Sequence, residues 1–151
     1  MSSRLITDLV PELQVKYEEF RKQMLAKGIT FAVTCTARSL TEQMALYTQG
    51  RLGLGEVNKF RSAAGLYLIG SADNVKVTWT LASKHIVTKD GEKARAFDIV
   101  ILKSGKENWD LKVDVNGNAK GDYAEAALIG REVGLNPGAF WSTPDYPHYE
   151  I

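Results

Sequence analysis

The chain carries little that could staple, anchor or steer it. Of its 151 residues one is cysteine, two are histidine and four are proline. A lone cysteine, Cys35, cannot close an internal disulfide, so the fold does not depend on an oxidising compartment. Excess charge is also missing: nineteen Lys and Arg against eighteen Asp and Glu leave +1. Without a basic cluster there is no nucleic-acid footprint, and none is expected as a partner. No apolar stretch approaches the roughly 20 residues of a membrane span. Residues 1–8 lack the basic flank and apolar run of a signal peptide. The chain is therefore expected to be made in the cytoplasm, without export signal or membrane insertion. Repeats, linkers and low-complexity tracts are absent too, so residues 1–151 read as one domain.

What is present is a mixture of helical and strand patterns. Leu9, Leu13, Tyr17, Phe20 and Met24 recur at three- and four-residue steps, giving a helix with Pro11 in its first turn and Gly28 at its stop. Residues 29–36 alternate as a strand, within which the bland reading of Cys35 is a buried small side chain. Ser39 followed by Glu42 is a capping box, opening a helix that runs to Gln49 and ends at Gly50. Residues 51–75 read as a long loop or cap over a cleft, with a short helix near 56–64. Val77–Leu81 and Ala96–Leu102 read as strands, the second almost wholly apolar and central. Gly121–Val133 is a helix stopped by Gly134, and the aromatic tail from Phe140 must pack on the core to be ordered. Helices and strands do not alternate strictly, which predicts an α+β domain built on a mostly antiparallel sheet.

The two histidines are the chemical signal. Ser83-Lys84-His85 precedes Ala94-Arg95-Ala96-Phe97-Asp98 by a polar loop, and Asp145-Tyr146-Pro147-His148-Tyr149-Glu150 closes the chain. A catalytic zinc takes three protein ligands and leaves a fourth position for water. Two histidines and an aspartate supply that set, and a neighbouring carboxylate can take the proton from the water. Spacing alone is weak support, because His85 and Asp98 stand thirteen residues apart with no short helical motif joining them. Asp145 ahead of Tyr-Pro also suits a turn, and Arg38 could be a solvated residue ahead of a helix.

These blocks, with Thr36-Ala37-Arg38-Ser39-Leu40-Thr41-Glu42-Gln43-Met44-Ala45-Leu46-Tyr47-Thr48-Gln49-Gly50-Arg51 and Trp141, resemble the zinc D-alanyl-D-alanine carboxypeptidases and L-alanyl-D-glutamate endopeptidases. That is the group of the VanX and VanY resistance enzymes and many phage endolysins. The resemblance spans residues 36 to 150 and implies the Hedgehog/DD-peptidase type of fold. It makes His85, Asp98 and His148 the ligands of one Zn2+ per chain. It makes Asp145 the carboxylate that deprotonates the water, and Arg38 the group that stabilises the oxyanion. Ser83 and Gln43 become substrate-binding residues. Glu150 is the rival base, but its place two residues along an extended strand better suits orienting His148. Two departures stand out: Val87–Lys93 form a turn inserted between the first two ligands, with Ala94 where the family has glycine, and the long 51–75 segment is expected to border the cleft.

What the resemblance implies for function is a monomeric zinc metallopeptidase of the peptidoglycan stem peptide. A phage endolysin cutting the L-alanyl-D-glutamate bond during host lysis is the leading expectation, acting on the wall after the membrane is breached. A D-alanyl-D-alanine carboxypeptidase or dipeptidase is the alternative, and a non-catalytic wall-binding virion module is a third.

Overall fold

The computed structural model describes residues 2–151. Pro11–Ala26 form the first helix, α1, with Pro11 supplying a fixed φ at its start and Gly28 ending it at φ +73. The chain continues through β1 (Phe31–Cys35), β2 (Arg38–Ser39), α2 (Leu40–Thr48) and α3 (Leu54–Ala63). It goes on through β3 (Ile86–Val87), β4 (Ala96–Lys103), β5 (Lys106–Asn108), α4 (Asp122–Glu132), β6 (Asn136–Pro137) and β7 (His148–Glu150). Ser39 caps α2 by accepting the Glu42 amide at 3.2 Å. Among the described residues no helix is long and apolar enough to cross a membrane.

The main sheet is antiparallel, in the order β1-β4-β7-β6, with β5 folded back on the end of β4. The expected α+β class with a mostly antiparallel sheet is borne out. Strand β4 is central because it is apolar on both faces. Phe97, Ile99 and Ile101 are fully buried and share one core with Leu13, Phe20 and Met24 of α1 and with Tyr123, Ala126 and Ile129 of α4. Alternation then turns Asp98 to the opposite face. A one-residue slip would put Asp98 in the core and expose Phe97 and Ile99, forfeiting roughly 1.5–3 kcal/mol per apolar side chain. Phe97 stacks on Tyr149 of β7 at 5.4 Å and 11°, which pins the same register from the core side.

Two expectations need correction. Val77–Leu81 is not a strand. The carbonyls a ladder would use are already occupied: Gln43 Nε2 donates to Thr80 O at 2.8 Å and Arg51 to Thr78 O at 3.0 Å. The segment stays irregular, with Val77, Trp79 and Leu81 exposed. The second correction concerns 51–75, which contributes no residue to the cleft lining. It holds helix α3 and a 3-10 turn at Ser71–Asp73, and the residues that follow α2 support that turn. The support is polar, since Gln49 Nε2 donates to Asp73 O and Gly50 N to Asn74 Oδ1, at 2.9 and 2.8 Å.

Gly50 fixes this arrangement twice over. Its φ is +74, and a Cβ there would run into the backbone of Val75 and Lys76. Gly50→Ala is expected to cost about 2 kcal/mol or more, since backbone cannot yield as a side-chain tip can. Urea unfolding measures this, and an unchanged midpoint would contradict the placement of residues 75–76.

Candidate metal centre

Three segments meet at one end of the sheet. Asp98 and His148 are directly opposite each other in the β4–β7 ladder. His85 arrives from the segment just before β3, whose parallel pairing with β2 sets Ile86 against Arg38. Arg38 N donates to the His85 carbonyl at 2.8 Å, so the same short ladder positions both residues. The long sequence separation of His85 and Asp98 is bridged at the base of the loop, where Arg95 N donates to Lys84 O at 2.9 Å. Above that bond the chain makes a tight turn in which Glu92 accepts from the Thr88 and Lys89 amides.

The result is a triangle of donor atoms. His85 Nε2 lies 3.1 Å from Asp98 Oδ1 and 3.2 Å from His148 Nδ1, and the third side is 3.1 Å. A tetrahedral ion bound at about 2.0 Å would hold its ligands about 3.3 Å apart, so the spacing suits one. The outer ring nitrogens agree. His85 Nδ1 reaches the Thr36 carbonyl at 2.7 Å, and a carbonyl only accepts, so the proton is on Nδ1. His148 Nε2 donates to Glu150 Oε2 at 2.8 Å. When neutral, both rings therefore turn lone pairs toward Asp98, the arrangement that metal-binding histidines adopt with their supporting acceptors. Three electron-rich atoms at such distances call for a cation between them.

Electrostatics report the same demand. Burial alone would lower the pKa of His85, but hydrogen bonds to Asp98 and Cys35 outweigh it and hold it at about 10. Burial would likewise lower His148, yet Asp98 and Glu150 raise it. Asp98 runs the other way: burial would raise it, and the two histidines hold it well below the usual carboxylate range. The triangle thus concentrates negative potential, and protons compete with a metal for it.

The triangle floors a cleft of about 650 Å³. Arg38, Ser83 and Asp145 line it, as do Trp79, Trp109 and Trp141; the chain has three tryptophans and all of them are here. Asp145 starts the turn that delivers His148, whose amide donates to Asp145 O at 3.2 Å. The turn reading and the place in the cleft are thus both realised. Partial burial first, then the charge of Asp98, raises the Asp145 pKa. Ser83 Oγ accepts the His85 amide at 3.2 Å, leaving its hydroxyl proton to donate. Gln43 is fully buried and absent from the lining. It reaches the cleft through others, accepting from Arg38 at 2.9 Å while holding Thr78 and Thr80.

Two contacts lie outside what the sequence reading identified. Cys35 is buried, as expected, but it is the cross-strand partner of Asp98, with Sγ 3.5 Å from His85 Nδ1 and 3.4 Å from Arg38. Cys35, His85 and Asp98 present ligand atoms within 4.8 Å of one another. The His85 nitrogen facing the thiol is, however, the one bonded to Thr36, and Cys35 does not line the cleft. Of the two sets, His85, Asp98 and His148 are the residues that could hold an ion facing the cleft. The other contact is Gly138: a Cβ there would stand 2.5 Å from Asp145 O and 3.2 Å from His148 Cβ, so this glycine lets the turn pack. Only a spatial neighbour, not local spacing, could have revealed either.

Comparisons with known proteins agree with the motif resemblance. The chain is 27% identical over 146 residues to the peptidoglycan L-alanyl-D-glutamate endopeptidase CwlK of Bacillus subtilis, covering 96% of this chain and 74% of that protein. Its fold is similar to the crystal structure of the Serratia marcescens L-Ala D-Glu endopeptidase ChiX, with a TM-score of 0.57 and 19% identity over 100% of this chain and 88% of the other. No family model matches. The likeness to the L-alanyl-D-glutamate endopeptidases is thus found both by sequence and by fold.

Glu150 tests the centre without being one of its three donors. It accepts from His148 and pairs with Lys84 at 3.1 Å. Glu150→Gln is expected to weaken Zn2+ binding by roughly 10–100-fold while leaving the fold intact. Competition against a chromogenic chelator reads the affinity. Unchanged binding would place the ion elsewhere.

Proposed function

We propose that the chain is a zinc-dependent peptidoglycan peptidase that hydrolyses the L-alanyl-D-glutamate bond of the stem peptide, with one Zn2+ held by His85, Asp98 and His148. The observation that carries this reading is the donor triangle, with both histidine rings locked lone-pair inward at the floor of the cleft. The sequence relationship to CwlK supports the choice of bond over the D-alanyl-D-alanine alternative. The lytic role of a phage endolysin, acting on the wall once the membrane is breached, rests on the motif resemblance.

Zinc held by His85, Asp98 and His148 would supply Lewis acidity to a water in the cleft. The protein's own residues do the rest. Asp145, the cleft carboxylate outside the triangle, takes the proton of the attacking water and returns it to the leaving amine. Its raised pKa suits that exchange, because a carboxylate held less acidic is a better base. The Arg38 guanidinium, anchored by Gln43 and Ser2, is held ready to stabilise the oxyanion, a contribution worth several kcal/mol in comparable sites. The Ser83 hydroxyl donates to a substrate carboxylate. The three tryptophans, all exposed, offer flat surfaces to the peptide and its sugar.

Two measurements decide the reading. Asp145→Ala is expected to lower the rate of wall digestion by about 10²–10⁴-fold while the zinc content stays near one per chain. Mass spectrometry of the soluble fragments is expected to find new amino-terminal D-glutamate. Release of free D-alanine instead would point to the carboxypeptidase alternative, and undiminished lysis by Asp145→Ala would remove the catalytic role given to this residue.

A further inference from the structure

Between β5 and α4 the chain runs Asp114-Val115-Asn116-Gly117-Asn118-Ala119-Lys120-Gly121-Asp122-Tyr123-Ala124-Glu125. The cleft makes no use of this segment. Side-chain oxygens fall at its first, third, fifth, ninth and twelfth positions. That is the order in which a twelve-residue loop wraps calcium, with a backbone carbonyl from the seventh position and a carboxylate from the helix that follows. Here the seventh residue is Lys120, and Glu125 stands in the first turn of α4. The sixth position normally needs glycine because the backbone turns left-handed there. This chain has Ala119 and holds it at φ +64.

The loop is closed around its first carboxylate. Asp114 Oδ1 accepts from Gly117 and Asn118 at 2.8 and 3.2 Å, and Oδ2 from Ala119 at 2.8 Å. Asp122 supplies an independent observation. Its Oδ2 accepts the Val115 amide at 2.7 Å, which sets the carboxylate against the inside of the loop. The residue is 0% exposed, and Oδ1 has no partner among the described residues. A buried carboxylate oxygen without a partner is costly, and its burial and the like charges of Asp114 and Glu125 raise its pKa. The amide nitrogens of Asn116 and Asn118 both point at Glu125 Oε1, at 3.4 and 2.6 Å. The positive ends of two amides therefore gather beside that carboxylate, and turned over they present oxygens to a cation instead.

We infer that residues 114–125 are a calcium-binding loop, with ligands from Asp114, Asn116, Asn118, the Lys120 carbonyl, Asp122 and Glu125. The ion fastens the connection that runs from the cleft wall at Trp109 into α4, where Tyr123 already donates to the Asn108 carbonyl at 2.6 Å. An all-oxygen set with flexible geometry selects Ca2+ over Mg2+. With three carboxylates and two neutral amides the site belongs to the weak end of such loops, with a Kd of about 10⁻⁴ M.

Calorimetric titration of the purified full chain with CaCl2 tests this. One Ca2+ per chain is expected, and calcium at about a hundred times that Kd should raise Tm by about 5–10 °C. Asp122→Asn and Glu125→Gln should each weaken binding at least tenfold, whereas Ala119→Gly should retain or tighten it. Ala119→Gly relieves the left-handed residue, so it remains informative if a carboxylate variant fails to fold. Neither heat nor a Tm change with calcium, or equal affinity in both carboxylate variants, overturns the assignment.

Discussion

Asp98 and His148 face each other across the β4–β7 ladder, and everything chemical in the molecule depends on that pairing being in register. The register is enforced from the opposite face, where Phe97 and Tyr149 stack within the core and Phe20 packs on both. Hydrophobic packing, which has no directional preference of its own, thereby fixes the position of two polar side chains to within ångströms. The parity of the strand does the conversion: residues that must be buried alternate with residues that must face the cleft. Gly138 then allows the turn carrying Asp145 to pack beside the ladder.

A second layer of hydrogen bonds turns position into chemistry. Thr36 O and Glu150 each take the outer proton of one imidazole, which leaves both lone pairs aimed inward. Arg38 is bound by Gln43, Ser2 and Cys35, and Gln43 in turn holds the irregular 78–80 segment that walls the cleft. Buried Gln43 therefore links the arginine to the wall that forms one side of the cleft. Such groups are preorganised: they are held in place before substrate arrives, so little reorganisation is left for the reaction itself.

The parts of the fold that could be read in the sequence are those governed by local periodicity. The apolar stripe of α1, the Ser39 cap and the apolar run of β4 all name their own structure. So does the compact tail motif, where Asp145, Pro147 and His148 lie within four residues. What escaped is set by distant partners. Val77–Leu81 alternates like a strand, but Gln43 and Arg51 claim its carbonyls first. The two-residue β2–β3 ladder is too short to leave a pattern, although it ties Arg38 to His85. The burial of Gln43 has no local signature either. In the 114–125 loop the spacing is legible, but alanine at the glycine position masks it, and only the left-handed φ of Ala119 restores the pattern.

The hydrogen bond between Arg95 and Lys84 has a consequence for how such a protein can change over generations. It closes the loop below the turn, so residues added or lost between Val87 and Lys93 alter loop-closure entropy, which grows only slowly with length. The distance along the chain between His85 and Asp98 is thereby uncoupled from their distance in space. A lineage can lengthen this rim, or an engineer can graft a recognition peptide there, while His85 and Asp98 keep their places.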